Sequence, residues 1–370
     1  MPLSHALPVF LASKMSNIVA TEAVPSSVLH ASLAIEPPNI VRADGNYFHT
    51  SNGATIFDAS GGAAVSCIGH NNARVKRAMQ QQLDNVEYCF APHFTTDAYE
   101  RLAKFLVDST DGQLTKVFVT GSGSEAIEAC VKMARQYSVE KGEGQRTKFI
   151  ARDRSYHGNT LGSLDISGHK ARRTIYEPLL AHNTSHISPC YPYRDLLAGE
   201  TTEQYVARLA QELEDEFQKL GPETVCGVIF ETMAGLTLGA VAPVPGYLKA
   251  MKQVCERHGV LFILDEVFAG MGRTGSLHAW QQEDVVPDLQ TIAKALGAGY
   301  APIGALLVGT KVVDVLSKGT KAFVHFQVSF DFVAFINVLR SLLDADLPRS
   351  SACVRSSVRG STGYSRRESR

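Results

Sequence analysis

An alternation through the middle of the chain constrains the fold more than any other feature. Six short β-rich runs are separated by segments with helical periodicity: KVFVT (116–120), KFIARD (148–153), CGVIFE (226–231), VLFILDE (260–266), LQTIAK (289–294) and GALLVG (304–309). In the segment 124–141, Ala126, Cys130, Met133 and Tyr137 recur three or four places apart, which gathers them on one face of a helix. The segment 202–220 behaves in the same way. Apolar strands alternating with amphipathic helices predict an α/β fold, with a mostly parallel central sheet and helices on both faces. In such sheets ligands bind beyond the carboxyl ends of the strands, so the chemistry is expected where these runs stop.

Composition narrows the function classes. The 370 residues suffice for a large core and two domains. A net charge of −1, with 45% hydrophobic and 20% charged residues, gives no reason to expect nucleic acid or an acidic membrane surface as partner. No apolar run approaches the roughly 18 residues of a membrane helix. The opening residues lack a charged start and a small-residue cleavage site, and no arginine precedes Arg42. Seven cysteines stand singly, with no CxxC pair and no histidine cluster of metal-binding spacing, so no metal is expected. A reducing compartment fits, and the expected location is cytoplasmic rather than mitochondrial.

Four places could carry chemistry. In FVTGSGSEAIEAC a strand ends at Thr120, a small-residue turn follows, and a helix begins near Ser124. Ser122 and Glu125 have capping-box spacing. Ser122, Gly123 and Ser124 would present free N–H groups to a phosphate, although an ordinary capped helix reads identically. The run VLFILDE delivers Asp265 and Glu266 to the end of a buried strand, where a carboxylate needs a cation or hydrogen bonds. A protonated pyridine nitrogen, a Walker B magnesium or a structural cap would each serve, but no Walker A loop accompanies it. Tyr156 and His157 follow another strand end, where an aromatic ring stacks on a planar ligand or simply packs. Lys294 sits among apolar and small residues. It is either a snorkelling surface cation or a poorly solvated amine with a lowered pKa, nucleophilic towards an aldehyde. A phosphate cradle, an aromatic stacker, a buried acid and a low-polarity lysine are four separate demands of one cofactor, pyridoxal 5′-phosphate.

These residues resemble the class III aminotransferases of the fold-type I pyridoxal-phosphate enzymes. TGSGSEAIEACVKMAR, SYHGNTLG, GVIFETMAGLTLGAVAPVPGYLKAMKQVCERHGVLFILDEVFAGMGRTG and PDLQTIAKALGAGYAPIGALLVG carry the likeness, from about Val41 to His325. The resemblance implies that Lys294 is the Schiff-base lysine and proton shuttle. Asp265 would pair with the pyridine nitrogen, Val267 would pack on the ring and Tyr156 on its opposite face. Ser122, Gly123 and Ser124 would hold the phosphate, with His157 in the same cofactor site. Glu231 would help receive the substrate, although Thr232 stands where the family often has proline. Phe268 replaces the glutamine common in ornithine-type members.

The domain organisation implied is an N-terminal arm (1–40), an N-terminal segment of the small domain (41–75), a large cofactor-binding domain (76–320) and an atypical tail (321–370). Residues 350–370 hold seven serines and five arginines, which predicts disorder there, and the C-terminal part of the small domain is expected to be largely missing. The implied reaction moves an amino group from an amino acid or amine donor to a 2-oxo acid in a homodimer. The resemblance also admits a catalytically impaired truncated form, or a pseudoenzyme that dimerises with a full-length form. A decarboxylase or aminomutase on the same scaffold fits it too.

Overall fold

The computed structural model describes residues 26–319. The expected tail (321–370) and the first 25 residues of the expected arm lie outside the described residues. The chain divides into a smaller unit, which includes 47–57 and the residues up to Ala43, and a larger one formed by Asp44–Asn46 and the residues from Asp58 onward.

The smaller unit carries a three-stranded sheet, β1 (Ile40–Asp44), β2 (Tyr47–Thr50) and β3 (Thr55–Phe57), in that order. Strands β2 and β3 are antiparallel, and Tyr47 stands opposite Phe57 with ring centroids 5.4 Å apart. The turn between them closes through the Ala54 N–H, which donates to Thr50 Oγ1 at 2.9 Å. Gly53 takes a φ of +85° there, a conformation costly for any residue with a Cβ.

The larger unit is built on seven strands, β4 (Leu114–Thr120), β5 (Lys148–Arg152), β6 (Thr184–Ile187), β7 (Val225–Glu231), β8 (Leu261–Asp265), β9 (Leu289–Ile292) and β10 (Gly304–Gly309). Their order is β4-β10-β9-β8-β7-β5-β6. Strand β10 is antiparallel to both neighbours, so the other six run in one direction. The mostly parallel sheet expected from the sequence is therefore present, and six of its seven strands coincide with the predicted runs to within two residues at either end. Strand β6 escaped prediction because Thr-Ser-His-Ile is short, polar and at the sheet edge.

Side chains alternate across the sheet, and the two apolar sets bury against different helices. Val228, Phe230, Phe262 and Leu264 pack with the helices Thr202–Leu220 and Tyr247–Arg257. Ile229, Leu261, Ile263 and Leu306 pack instead with the helix Gly123–Glu140. The helical residues singled out in the sequence, Ala126, Cys130, Met133 and Tyr137, are all buried, the last three in that second layer. Each fully buried Leu, Ile or Phe contributes about 1.5–3 kcal/mol, and the two layers hold the sheet rigid between them. Consequently the strand ends are fixed points. Register places Glu231 beside Asp265, and Asp265 beside Thr291, so two carboxylates arrive together at one edge.

Candidate functional site

Beyond β4 the chain turns through Gly121 into the helix Gly123–Glu140. Ser122 caps it, with its Oγ accepting from the Glu125 N–H at 3.2 Å. The reciprocal half of the expected capping box does not form, and the helix starts at Gly123 rather than near Ser124. The first amides of a helix have no partner within it, and those of Gly123 and Ser124 lie at the positive end of an 18-residue helix dipole. Gly123 is required by packing: a Cβ there would lie 2.9 Å from Val267 Cγ1 and 3.3 Å from the Ala293 Cβ. Ser124 is tied to the loop after β5, with its Oγ donating to Asn159 Oδ1 at 3.1 Å and accepting from the Asn159 N–H at 3.2 Å.

Asp265 ends β8, almost fully buried. Its Oδ2 lies 2.7 Å from His157 Nδ1, and its Oδ1 accepts from the Val267 N–H at 2.9 Å. His157 is fixed in turn, its N–H donating to Ser167 Oγ at 2.8 Å, while its buried Nε2 has no partner. The loop after β5 therefore delivers His157 as a brace for Asp265 and leaves Tyr156 as the aromatic face towards the cavity. Glu231, at the end of β7, accepts from the Tyr156 N–H at 2.9 Å and from the Gly235 N–H at 2.7 Å. Both of its oxygens are thus engaged in placing loops, a role the sequence did not suggest.

Lys294 follows β9 in a short 3₁₀ turn instead of lying in the strand. Its φ is +45°, the left-handed region that costs a residue with a Cβ about 1–2 kcal/mol. Burial pushes its amine below the usual lysine range, against the opposing pull of Asp265 and Glu231 and with a further push from Arg273. Its Nζ lies 5.0 Å from the centroid of the Phe268 ring. That ring face by itself attracts a cation, so the lowering comes from burial.

Every site residue predicted from the sequence lines one cavity of about 610 Å³. Ser122, Gly123 and Ser124 form one end. Tyr156, His157, Asp265 and Val267 form the middle, with Lys294 and Glu231 beside them. The cavity suits pyridoxal phosphate: a helix N-terminus with free amides for the phosphate, a braced carboxylate for a cationic ring nitrogen, an aromatic face and a poorly solvated primary amine.

Two supports go beyond the sequence reading: Glu266, which it named beside Asp265 without separating their roles, and Arg172, which it did not single out. Glu266 is buried, accepting from the Ala279 and Trp280 N–H groups at 2.8 Å each and from Gln290 Nε2 at 2.9 Å. Desolvation pushes its carboxyl up to about 7. Thr232, standing for the family's proline, donates to it at 3.0 Å. Strand alternation was the available signal, since neighbours along a strand point to opposite faces. Arg172 is the second; it lines the cavity with its Cζ 4.9 Å from the Tyr156 ring centroid, and nothing in KARR distinguishes it from Arg173.

The chain is similar to known proteins. The description "Aminotransferase class-III" matches residues 31–358. An uncharacterized aminotransferase of Schizosaccharomyces pombe is 48% identical over 290 residues, which are 78% of this chain and 63% of that protein. Gamma aminobutyrate transaminase 3, chloroplastic, of Solanum lycopersicum is 35% identical over 302 residues, 80% of this chain and 57% of that protein. The crystal structure of the omega transaminase from Pseudomonas jessenii in complex with PMP has a TM-score of 0.79 at 30% identity, covering 83% of this chain and 69% of that one. The chain thus spans 63% and 57% of the lengths of these two curated relatives.

Proposed function

The chain belongs to the class III aminotransferases, a pyridoxal-phosphate-dependent family, and from that membership we propose that it transfers an amino group from an amino acid or amine to a 2-oxo acid. When bound, pyridoxal phosphate supplies an aldehyde that exchanges with amines and a ring that withdraws electron density. The chain's own residues divide the remaining work. Ser122, Gly123 and Ser124 would hold the phosphate on the helix N-terminus. Asp265, oriented by His157 and the Val267 N–H, would hold a cationic ring nitrogen, and Tyr156 would cover a ring face. Lys294 is the amine that would take the aldehyde, and its Nζ would accept and return a proton. The observation that carries the reading is the convergence of a desolvated Lys294 and a braced Asp265 on one cavity with a free helix N-terminus.

A homodimer belongs to the same proposal, and the exposure of two large apolar residues, Phe90 at 51% and Phe94 at 65%, supports a face that a partner covers. The six described cysteines are free thiols, which suits the cytoplasmic location proposed here. The test is to load the protein with pyridoxal phosphate, reduce with borohydride and map the fixed cofactor by mass spectrometry. Label on Lys294, followed by keto product from an amine-donor screen with pyruvate or 2-oxoglutarate, supports the proposal. A colourless protein that fixes no cofactor sinks it.

A further inference from the structure

Arg172 is a solvent-exposed cation lining the cavity, and no anion is provided for it among the described residues. It belongs to the short helix Lys170–Arg173, whose two neighbouring arginines have different fates. Arg173 anchors the helix, donating to the carbonyls of Leu164, Asp165 and Ser167 at 3.0, 2.5 and 2.9 Å and to Glu177 at 3.2 Å. Arg172 makes no ion pair and no side-chain hydrogen bond among the described residues. Its guanidinium lies on the Tyr156 ring, 4.9 Å from the centroid, and lines the cavity that holds Lys294. The His169 ring stands edge-on to Tyr156 with centroids 6.4 Å apart and lines the same cavity.

The carboxylates of the cavity do not neutralise it. Asp265 is held by His157 and the Val267 N–H, and Glu231 by two backbone amides. Apart from Lys294, Arg172 is the permanent cation among the described residues that line this space. The lining of the same cavity includes the apolar side chains of Leu236, Ile303, Phe268 and Val65. A guanidinium oriented by an aromatic face keeps its N–H fork free for a planar anion.

We propose that Arg172 receives a carboxylate of the amino donor, so that the site selects amino carboxylates over simple amines. The donor would place its amine at Lys294, run its carbon chain along the apolar lining, and leave the carboxylate at Arg172. This rests on the transaminase reading and adds to it the residue that sets donor class.

The experiment uses the cofactor-loaded protein and glutarate, an unreactive dicarboxylate, as probe. Calorimetry on Arg172→Gln is expected to show glutarate affinity weakened about tenfold, the loss of one charge-assisted bidentate contact. Arg172→Lys, which keeps the charge but not the fork, should lose about threefold. Both variants should retain the visible cofactor band and the wild-type melting temperature. In turnover, KM for 4-aminobutanoate should rise about tenfold with kcat unchanged, while butylamine kinetics stay the same. Unchanged glutarate affinity in Arg172→Gln overturns the inference, as does an equal loss for butylamine. Loss of the cofactor band in the variant alone would assign Arg172 to the cofactor and also overturns it. Failure of the wild-type protein to take up cofactor overturns the transaminase reading itself.

Discussion

Gly123→Ala tests the close packing on which the phosphate end of the site depends. The new Cβ would sit 2.9 Å from Val267 Cγ1, 3.2 Å from Val267 Cγ2 and 3.3 Å from the Ala293 Cβ. Carbon atoms pack best at about 3.5–4.0 Å, so Val267 must yield by roughly half an ångström or the helix start must lift. Neither yields cheaply. Val267 is β-branched with one strongly preferred rotamer, and its N–H is bound to Asp265; Ala293 directly precedes Lys294. Overpacking of this kind costs about 1–3 kcal/mol, offset by at most about 0.5–1 kcal/mol from replacing glycine in a helix. The expected net loss is about 1–2 kcal/mol, read as a lower urea midpoint with unchanged m-value. Displacing Val267 and the Gly123 amide should also weaken pyridoxal phosphate binding about tenfold by fluorescence titration. Gly121→Ala is the control: its Cβ meets only the far end of the Glu125 side chain, at 2.8 Å, and the loss should stay below about 0.5 kcal/mol. Adding Val267→Ala to Gly123→Ala should recover about 1 kcal/mol of the clash in a double-mutant cycle. If Gly123→Ala matches the wild type in both midpoint and cofactor affinity, or if Val267→Ala brings no recovery, the close-packing reasoning is wrong.

Other expectations follow from the same geometry. Lys294→Ala should abolish borohydride-fixed cofactor, while Lys294→Gly, which relieves the +45° φ, should unfold at a higher urea midpoint than Lys294→Ala by about 0.5–1 kcal/mol. Two buried groups act oppositely on stability against pH. Glu266, raised from 4.5 to about 7, penalises the fold when ionised, so its part of the stability grows as pH falls from 7 towards 4.5. His278, lowered from 6.5 to about 4, penalises the fold when protonated, so its part is present above 6.5 and lost as pH falls towards 4. Glu266→Gln removes the compensating gain, and its urea midpoint should fall more steeply than the wild type's between pH 7 and 5; parallel slopes would show that Glu266 is not the titrating group.

The sheet was legible where apolar pattern and length agreed. The helix Thr202–Leu220 matches the predicted segment at both ends, because Tyr205, Leu209, Leu213 and Phe217 mark one buried face. The sheet of β1, β2 and β3 was not foreseen, since strands of three to five residues carry too little alternation to stand out. In the site, Lys294, Asp265 and the Ser122 turn were visible because each contradicts its surroundings: a charge among apolar residues, or glycines between a strand and a helix. The His157–Asp265 contact was not, because 108 residues separate the partners and only the parallel order of β5, β7 and β8 brings them together. Glu231 was visible as a residue but not as a brace, since its partners are backbone amides that any residue could supply.

Lys294 shows why those contradictions belong to one device. A lysine that merely reaches for water gains nothing from a left-handed backbone, and it avoids burial that favours its neutral form. Here both costs are imposed. The turn is locked by the Gly297 and Ala298 N–H groups donating to the Lys294 carbonyl at 3.1 and 2.9 Å, and by the Leu296 N–H donating to Ala293 at 2.9 Å. Gly297 leaves no room to relax, because a Cβ there would lie 2.5 Å from the Ala301 carbonyl oxygen. Strain of this sort persists only where the surroundings over-determine it. The same surroundings put Phe268 under the amine and two occupied carboxylates close enough to limit how far its pKa falls. The reactive-amine reading accounts for strain, burial and neighbours together, whereas the snorkelling alternative accounts for none of the three.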